Sequence, residues 1–273
     1  VTRVGRPANL GDALIGPGLL AGAANVIMQL SWPEVGYGVA ESRVDSGNLF
    51  KHPVKRTRTT LSYLAVAVHG TEAERAAYRR GVNVSHAQVR STPESPVAYN
   101  AFDKDLQLWV AACLYRGLED VQRLFGAPLS SADAERLYRE AAVLGTTLQV
   151  RPEQWPADRA AFERYWTEGL ERVSIDDTVR AHLTDVMLVR WLPWVISRPL
   201  EPFNRFVTAG FLPAEFREQM HLDWSPAKQR WFERFTGLLG AVVRRLPGWA
   251  RAFPYNVLLA DLRRRMRAGR PLV

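Results

Sequence analysis

One cysteine, Cys113, stands alone in 273 residues. A single thiol forms no internal disulfide and no thiolate metal cluster. Such cysteine usage fits a reducing compartment, and a cytoplasmic protein is the expectation. Long apolar runs are also missing. The best, LIGPGLLAGAANVIMQL over residues 14–30, is interrupted by Pro17, Asn25 and Gln29. It falls short of the ~20 clean residues a membrane span needs and reads as a buried helix. The opening VTRVGRPANLGDALIGPG does not show the charged start, apolar run and cleavage site of a signal peptide in order. The five histidines, His52, His69, His86, His182 and His221, show no paired ligand spacing and no His-Glu-x-x-His, which argues against zinc. Strict period-two alternation, Asn-Gly hairpin turns, repeats and low-complexity tracts are lacking too.

Present instead is helical punctuation almost throughout. HGTEAERAAYRRGVNVSHAQV pairs Thr71 with Glu74 as a capping box and predicts a helix from about 72 to 90. DKDLQLWVAACLYRGLEDVQRLFG is apolar at 106, 109, 110, 113, 114, 118 and 121, a helical period. SSADAERLYREAAVLG has a serine cap at Ser130 or Ser131, early acids, and Gly145 as a stop. Ser225-Pro226 starts another helix and Pro247-Gly248 ends it. Loops are expected at 31–38, 44–54, 91–100, 150–157 and 191–202, none long enough to force a boundary. The fold class is therefore all-α, as one large helical domain over 1–273. The net charge of +8 favours anionic partners, although most arginines alternate with glutamates as a solvated helix face.

Three groups of residues carry chemistry. His86, in NVSHAQVRS, is a lone histidine on a partly apolar helix. It is either a packed core histidine or the axial ligand of a haem iron, a role one imidazole suffices for. No Cys-x-x-Cys-His is present, so such a haem is not covalently attached. Arg56 and Thr60, in KRTRTTLSYL, lie four apart on one face and suit a carboxylate or phosphate, with a solvated helix start as the plainer reading. VGYGVAES places Gly36 and Gly38, which permit close backbone approach, before Glu41. Glu41 reads either as a base with a raised pKa or as an ordinary surface acid.

The order of these pieces is informative. Arg-x-x-x-Thr at 56–60, His-Gly-Thr at 69–71, His-x-x-Val at 86–89, and Tyr-x-Ala-x-Asp followed by Leu-x-x-Trp-Val at 99–110 occur in succession, with AGFLPAEFREQMHLDWS and RRLPGWARAFP further on. From about residue 12 to about 255 the chain resembles the helical haem-b oxygenases that include MpaB and latex-clearing protein (rubber oxygenase). The resemblance implies haem b as cofactor, molecular oxygen as co-substrate, and His86 as proximal iron ligand. It implies that Arg56 and Thr60 lie near the haem and its propionates, and Arg90 adds a second cation. It places Glu41 near the position of a catalytic base, one residue out of register. The rubber-cleaving members carry a lysine directly before the threonine, where this chain has Thr59; that departure argues against rubber cleavage.

The expected function is a haem-b-dependent oxygenase acting on an apolar, unsaturated small molecule. Glu41 and Thr59 are the candidate distal residues, and substrate is expected to approach near VGYGVAES. The alternatives are a non-catalytic haem-binding protein, or a basic helical module that binds anionic lipid or nucleic acid through LADLRRRMRAGR in the basic C-terminal segment 257–273. A solvated tail is the plainer reading of that segment. No nucleic-acid partner is expected for the oxygenase, and a peripheral membrane contact is.

Overall fold

The computed structural model describes residues 7–273, with the backbone only at Ser46. Val1–Arg6, part of the stretch read for a leader, lies outside the described residues. Local chemistry opens most helices. Asn9 caps α1 (Leu10–Ala13), and a 3-10 turn begun at Gly16-Pro17 leads into α2 (Gly22–Leu30). Pro33 at the first position and Glu34 in the first turn start α3 (Pro33–Ala40). This corrects the loop expected at 31–38: the proline is a start signal there.

Pro53 opens α4 (Pro53–His69). Gly70 closes it, where a Cβ would fall 2.3 Å from the Val66 carbonyl oxygen. The Thr71–Glu74 capping box opens α5 (Glu72–His86) with both of its hydrogen bonds made. The helix stops at His86, not near 90; Arg90 instead bridges to Asn100 in an isolated antiparallel pair. Among the described residues there is no strand.

Asp103 caps α6 (Lys104–Phe125), and Ser130 caps α7 (Ser131–Glu140). Gly145 does not act as the stop expected there but sits inside the short α8 (Val143–Thr146). Asp158 and Asp176 cap α9 (Arg159–Leu170) and α10 (Asp177–Met187). The expected loop at 191–202 is mostly helix, α11 (Trp194–Phe211), despite Pro199 and Pro202 within it. Each proline removes an i→i−4 hydrogen bond, but the carbonyls left over belong to Val195 and Arg198, both exposed and open to water. Then come α12 (Ala214–Gln219), α13 (Pro226–Val243) capped by Ser225, α14 (Gly248–Arg251) and α15 (Tyr255–Arg267).

One continuous core runs from Leu10 to Val243, with α6 at its centre against α2, α8 and α13. Its middle is a stack of three indoles. Trp109 of α6 is fully buried between Trp32 (ring centroids 4.5 Å apart, 8° between planes) and Trp166 (5.1 Å, 18°). The buried N–H groups are satisfied: Trp32 Nε1 donates to the Gly169 carbonyl at 2.9 Å and Trp109 Nε1 to Met28 at 3.2 Å. The stack thereby ties α9 and the α2–α3 corner to α6.

A smaller core joins α4 to α15 through Ala65, Val66, Tyr78, Tyr255, Leu259 and Leu262. The C-terminal segment is therefore a packed helix, not a solvated tail. Much of its basic charge is neutralised within the fold: Arg263 pairs with Glu74 at 2.7 Å, and Arg264 and Arg265 pair with Asp261. No helix among the described residues is long and apolar enough to cross a membrane.

Candidate functional site

Helices α4 and α5, joined at Gly70-Thr71, bring Arg56 and His86 into each other's electrostatic reach. Arg56 lies in the first turn of α4. Its side chain retains open surface, yet enclosure by protein pushes its pKa down. No carboxylate pairs with its guanidinium among the described residues; the only nearby acidic group acting on it is the Tyr78 phenol. An enclosed, unpaired cation is costly, and an anionic ligand is what relieves it.

His86, the last residue of α5, is mostly enclosed. Its Nδ1 is buried and has no hydrogen-bond partner. Burial, and then repulsion from Arg56, push its pKa from 6.5 to about 4. The ring is therefore neutral at ordinary pH, the form that offers a lone pair to a metal. Phe102 packs edge-on against it with ring centroids 6.1 Å apart, fixing its plane. Asn83, one turn back, anchors this end of α5. Its Oδ1 accepts from Gln149 Nε2 at 2.5 Å, and Gln149 Oε1 accepts from Gln107 Nε2 at 2.7 Å. Gln107 also donates to the Ala101 carbonyl at 2.7 Å. Sequence reading missed this amide relay, because its members are 42 and 66 residues apart.

Thr60, one turn on from Arg56, is exposed. Thr59 is buried, and its hydroxyl is engaged inside α4, donating to the Arg56 carbonyl at 3.0 Å. Its own carbonyl accepts from Tyr78 Oη at 2.5 Å. Tyr63, one turn further along the Arg56–Thr60 face, donates to the Leu144 carbonyl at 2.5 Å. Neither tyrosine was singled out from sequence. Arg90 is exposed beyond the end of α5.

Glu41 caps the C-terminal end of α3 on the surface. Its Oε2 accepts from Ser95 Oγ at 2.7 Å and Tyr99 Oη at 2.8 Å. Tyr99 in turn packs near Gly38 and Val89, three residues beyond His86, so the 89–101 loop links Glu41 to the end of α5. The glycines before it serve packing. A Cβ on Gly36 would meet the Leu30 carbonyl oxygen at 2.7 Å and Val179 at 3.0 Å, so α3 is already seated on α10 there.

The other histidines stand apart. His69 packs against Gly11 of α1, His52 meets Asp45 at 3.0 Å, and His182 faces the Phe50 ring. No group of three or more His, Cys, Asp or Glu converges on a metal position among the described residues. What α4 and α5 bring together is a neutral imidazole, with Phe102 against it, and a desolvated cation without a carboxylate partner among the described residues. Chemically this suits a ligand that combines a metal with an anionic group.

Comparison with known proteins supplies context. The sequence model described as "ER-bound oxygenase mpaB/B'/Rubber oxygenase, catalytic domain" matches residues 13–241. Two uncharacterized proteins, one from Mycobacterium bovis and one from Mycobacterium tuberculosis, are each 53% identical over 255 residues, covering 93% of this chain and 100% of theirs. Among solved structures, latex clearing protein in its closed state superposes with a TM-score of 0.56 at 19% identity, over 93% of this chain and 70% of that one. This last likeness is one of fold.

Proposed function

This chain belongs to the mpaB/B'/rubber oxygenase family, and we propose that it is a haem-b-dependent oxygenase acting on an apolar, unsaturated small molecule, with His86 as the proximal iron ligand. The observation that supports this most directly is the buried, unpartnered Nδ1 of His86 beside the unpaired, desolvated Arg56. An iron porphyrin with propionates calls for one neutral imidazole and a nearby cation, and His86 and Arg56 supply that pair. The residues present therefore fit the group.

When bound, haem b supplies the iron that activates molecular oxygen. The chain's own residues do the rest. His86 offers its neutral ring, with Phe102 holding the ring plane and the Asn83–Gln149–Gln107 relay holding the helix end. Arg56 would hold a propionate by a charge-assisted hydrogen bond, and Thr60 would present a hydroxyl on the same face. Arg90, exposed next to the 89–101 loop, is the second cation of this reading. Glu41 is the candidate proton acceptor: Ser95 and Tyr99 orient one carboxylate oxygen and leave Oε1 to take the proton.

Titration of the purified chain with hemin tests the reading. A Soret band saturating at about one haem per chain, lost in His86→Ala, is expected. A wild-type chain that develops no Soret band refutes it. Oxygen uptake with unsaturated apolar substrates then separates an oxygenase from a non-catalytic haem protein.

A further inference from the structure

The largest unexplained feature lies away from α4 and α5. Helix α11 and helix α13 pack side by side, Phe203 against Phe235 at 5.9 Å and Phe206 and Phe211 against Phe232 at 6.2 and 5.2 Å. Moving forward along α11 moves backward along α13, so the pair is antiparallel. That sense carries Leu200 and Ile196 towards the end of α13 where Leu238 and Val242 lie. Ile196, Leu200 and Phe203 follow i, i+4, i+7 spacing, and Phe235, Leu238 and Val242 follow i, i+3, i+7. Such stripes normally face a core. Here they face outward: Leu238 is 74% exposed, Val242 56% and Ile196 46%. Trp194, Trp231 and Trp249 flank them at 74%, 65% and 73% exposure. An apolar face spread over two helices, with three open indoles, is far more than scattered surface hydrophobicity.

Charge identifies what covers it. From α13 through α14 the chain carries Lys228, Arg230, Arg234, Arg244, Arg245 and Arg251 against a single carboxylate, Glu233. None of these cations has an ion-pair partner among the described residues, and Glu233 accepts only from Gln229 at 2.9 Å. On α11, Arg198 and Arg205 are likewise exposed and unpaired, while Glu201 is held by Arg190. Arg234 leans over Trp231, with 5.7 Å from guanidinium to ring. A second copy of this chain would bring arginines onto arginines across a two-fold, with too few carboxylates to pair them. Nucleic acid has no use for a stripe of Leu, Ile and Val. Apolar side chains that insert, indoles at a headgroup level and unpaired arginines around them match one surface, the interface of an anionic bilayer.

We propose that the α11–α13–α14 face docks this chain peripherally onto anionic membranes, inserting Leu238, Val242 and Trp249 while the surrounding arginines meet lipid phosphates. The docking is independent of any bound cofactor.

The test is co-sedimentation of the full chain with phosphatidylcholine vesicles and with vesicles of equal parts phosphatidylcholine and phosphatidylglycerol, at low and high salt. Binding to the anionic vesicles is expected, weakened by salt. Leu238→Glu with Val242→Glu should lower partitioning roughly tenfold or more, with an unchanged thermal melt, because both side chains are already in water. Trp249→Ser, on a separate element, should lower it independently. Arg234→Glu with Arg245→Glu should abolish the preference for anionic lipid. Absence of vesicle binding overturns the proposal, as does binding that Leu238→Glu with Val242→Glu leaves intact. So does a dimer, seen by light scattering, that the same pair of substitutions dissociates while vesicles are ignored.

Discussion

Replacing Arg56 by methionine should make the empty protein more stable and the loaded one weaker. Arg56→Met keeps most of the aliphatic stem and deletes the charge. Without hemin the guanidinium is desolvated and meets no carboxylate among the described residues. An unsatisfied enclosed polar group costs about 1–3 kcal/mol, more when charged. Because Arg56 keeps open surface, solvent screening puts it at the low end, about 1 kcal/mol. For a chain this long that is a rise of roughly 2–4 °C in melting temperature. The substitution also removes the repulsion that helps depress the His86 pKa, a smaller gain of the same sign. On the ligand side, a propionate loses a charge-assisted hydrogen bond worth about 1.5–3 kcal/mol, or roughly a 10- to 150-fold loss in hemin affinity. Thermal melts of the hemin-free variant and hemin titrations followed at the Soret band measure the two effects separately. A structural arginine behaves oppositely: Arg56→Met would then lower the melting temperature and leave hemin affinity untouched, and that pair of results would refute the reasoning.

Three further outcomes are expected. Between pH 6.5 and about 4 the unfolded chain protonates His86 while the folded chain does not, so stability is full above that window and falls as pH drops through it, by up to about 3 kcal/mol from this residue. Burial lowers the pKa of His69 and His182 as well, adding in the same direction. Denaturant melts of wild type and His86→Ala across the window check this, because the variant should show a shallower slope. Gly169→Ala should destabilise by about 1–3 kcal/mol despite the better helix propensity of alanine, because its Cβ would lie 2.5 Å from Cζ3 of the buried Trp109; a variant as stable as wild type would show that the indole stack yields. With its hydroxyl committed to the Arg56 carbonyl, Thr59 is not expected to cap an iron from the distal side. The hemin-loaded chain should therefore bind cyanide or carbon monoxide readily and release no isoprenoid aldehydes from polyisoprene; robust aldehyde release would contradict this.

Helix caps were legible in the sequence wherever donor and acceptor sit three residues apart, as at Thr71–Glu74 and Ser130–Asp133. The boundaries that went astray depended on partners elsewhere. Pro33 was read as part of a turn, whereas it begins a helix whose Gly36 seats on Val179, more than a hundred residues on. Residues 191–202 were expected as a loop, whereas most of them are helical, and the hydrogen bonds lost at Pro199 and Pro202 fall on exposed residues. Residue types at the candidate site were likewise visible: a lone histidine, an Arg-x-x-x-Thr face and a glutamate after glycines.

By itself the sequence determined the all-helical class, the caps, and the order of motifs that marks the family, because each of these is written in residues close together along the chain. Tertiary structure alone decided the rest. It enclosed Arg56 without a carboxylate and set it near His86, 30 positions away in sequence. It engaged one oxygen of Glu41 with Ser95 and Tyr99, and folded the basic C-terminal helix onto α4 with Arg263, Arg264 and Arg265 paired. It turned the apolar stripes of α11 and α13 outward although their period is that of a core. Desolvation, pairing and exposure are properties of what surrounds a side chain, and those surroundings are assembled from segments that periodicity along one helix does not encode.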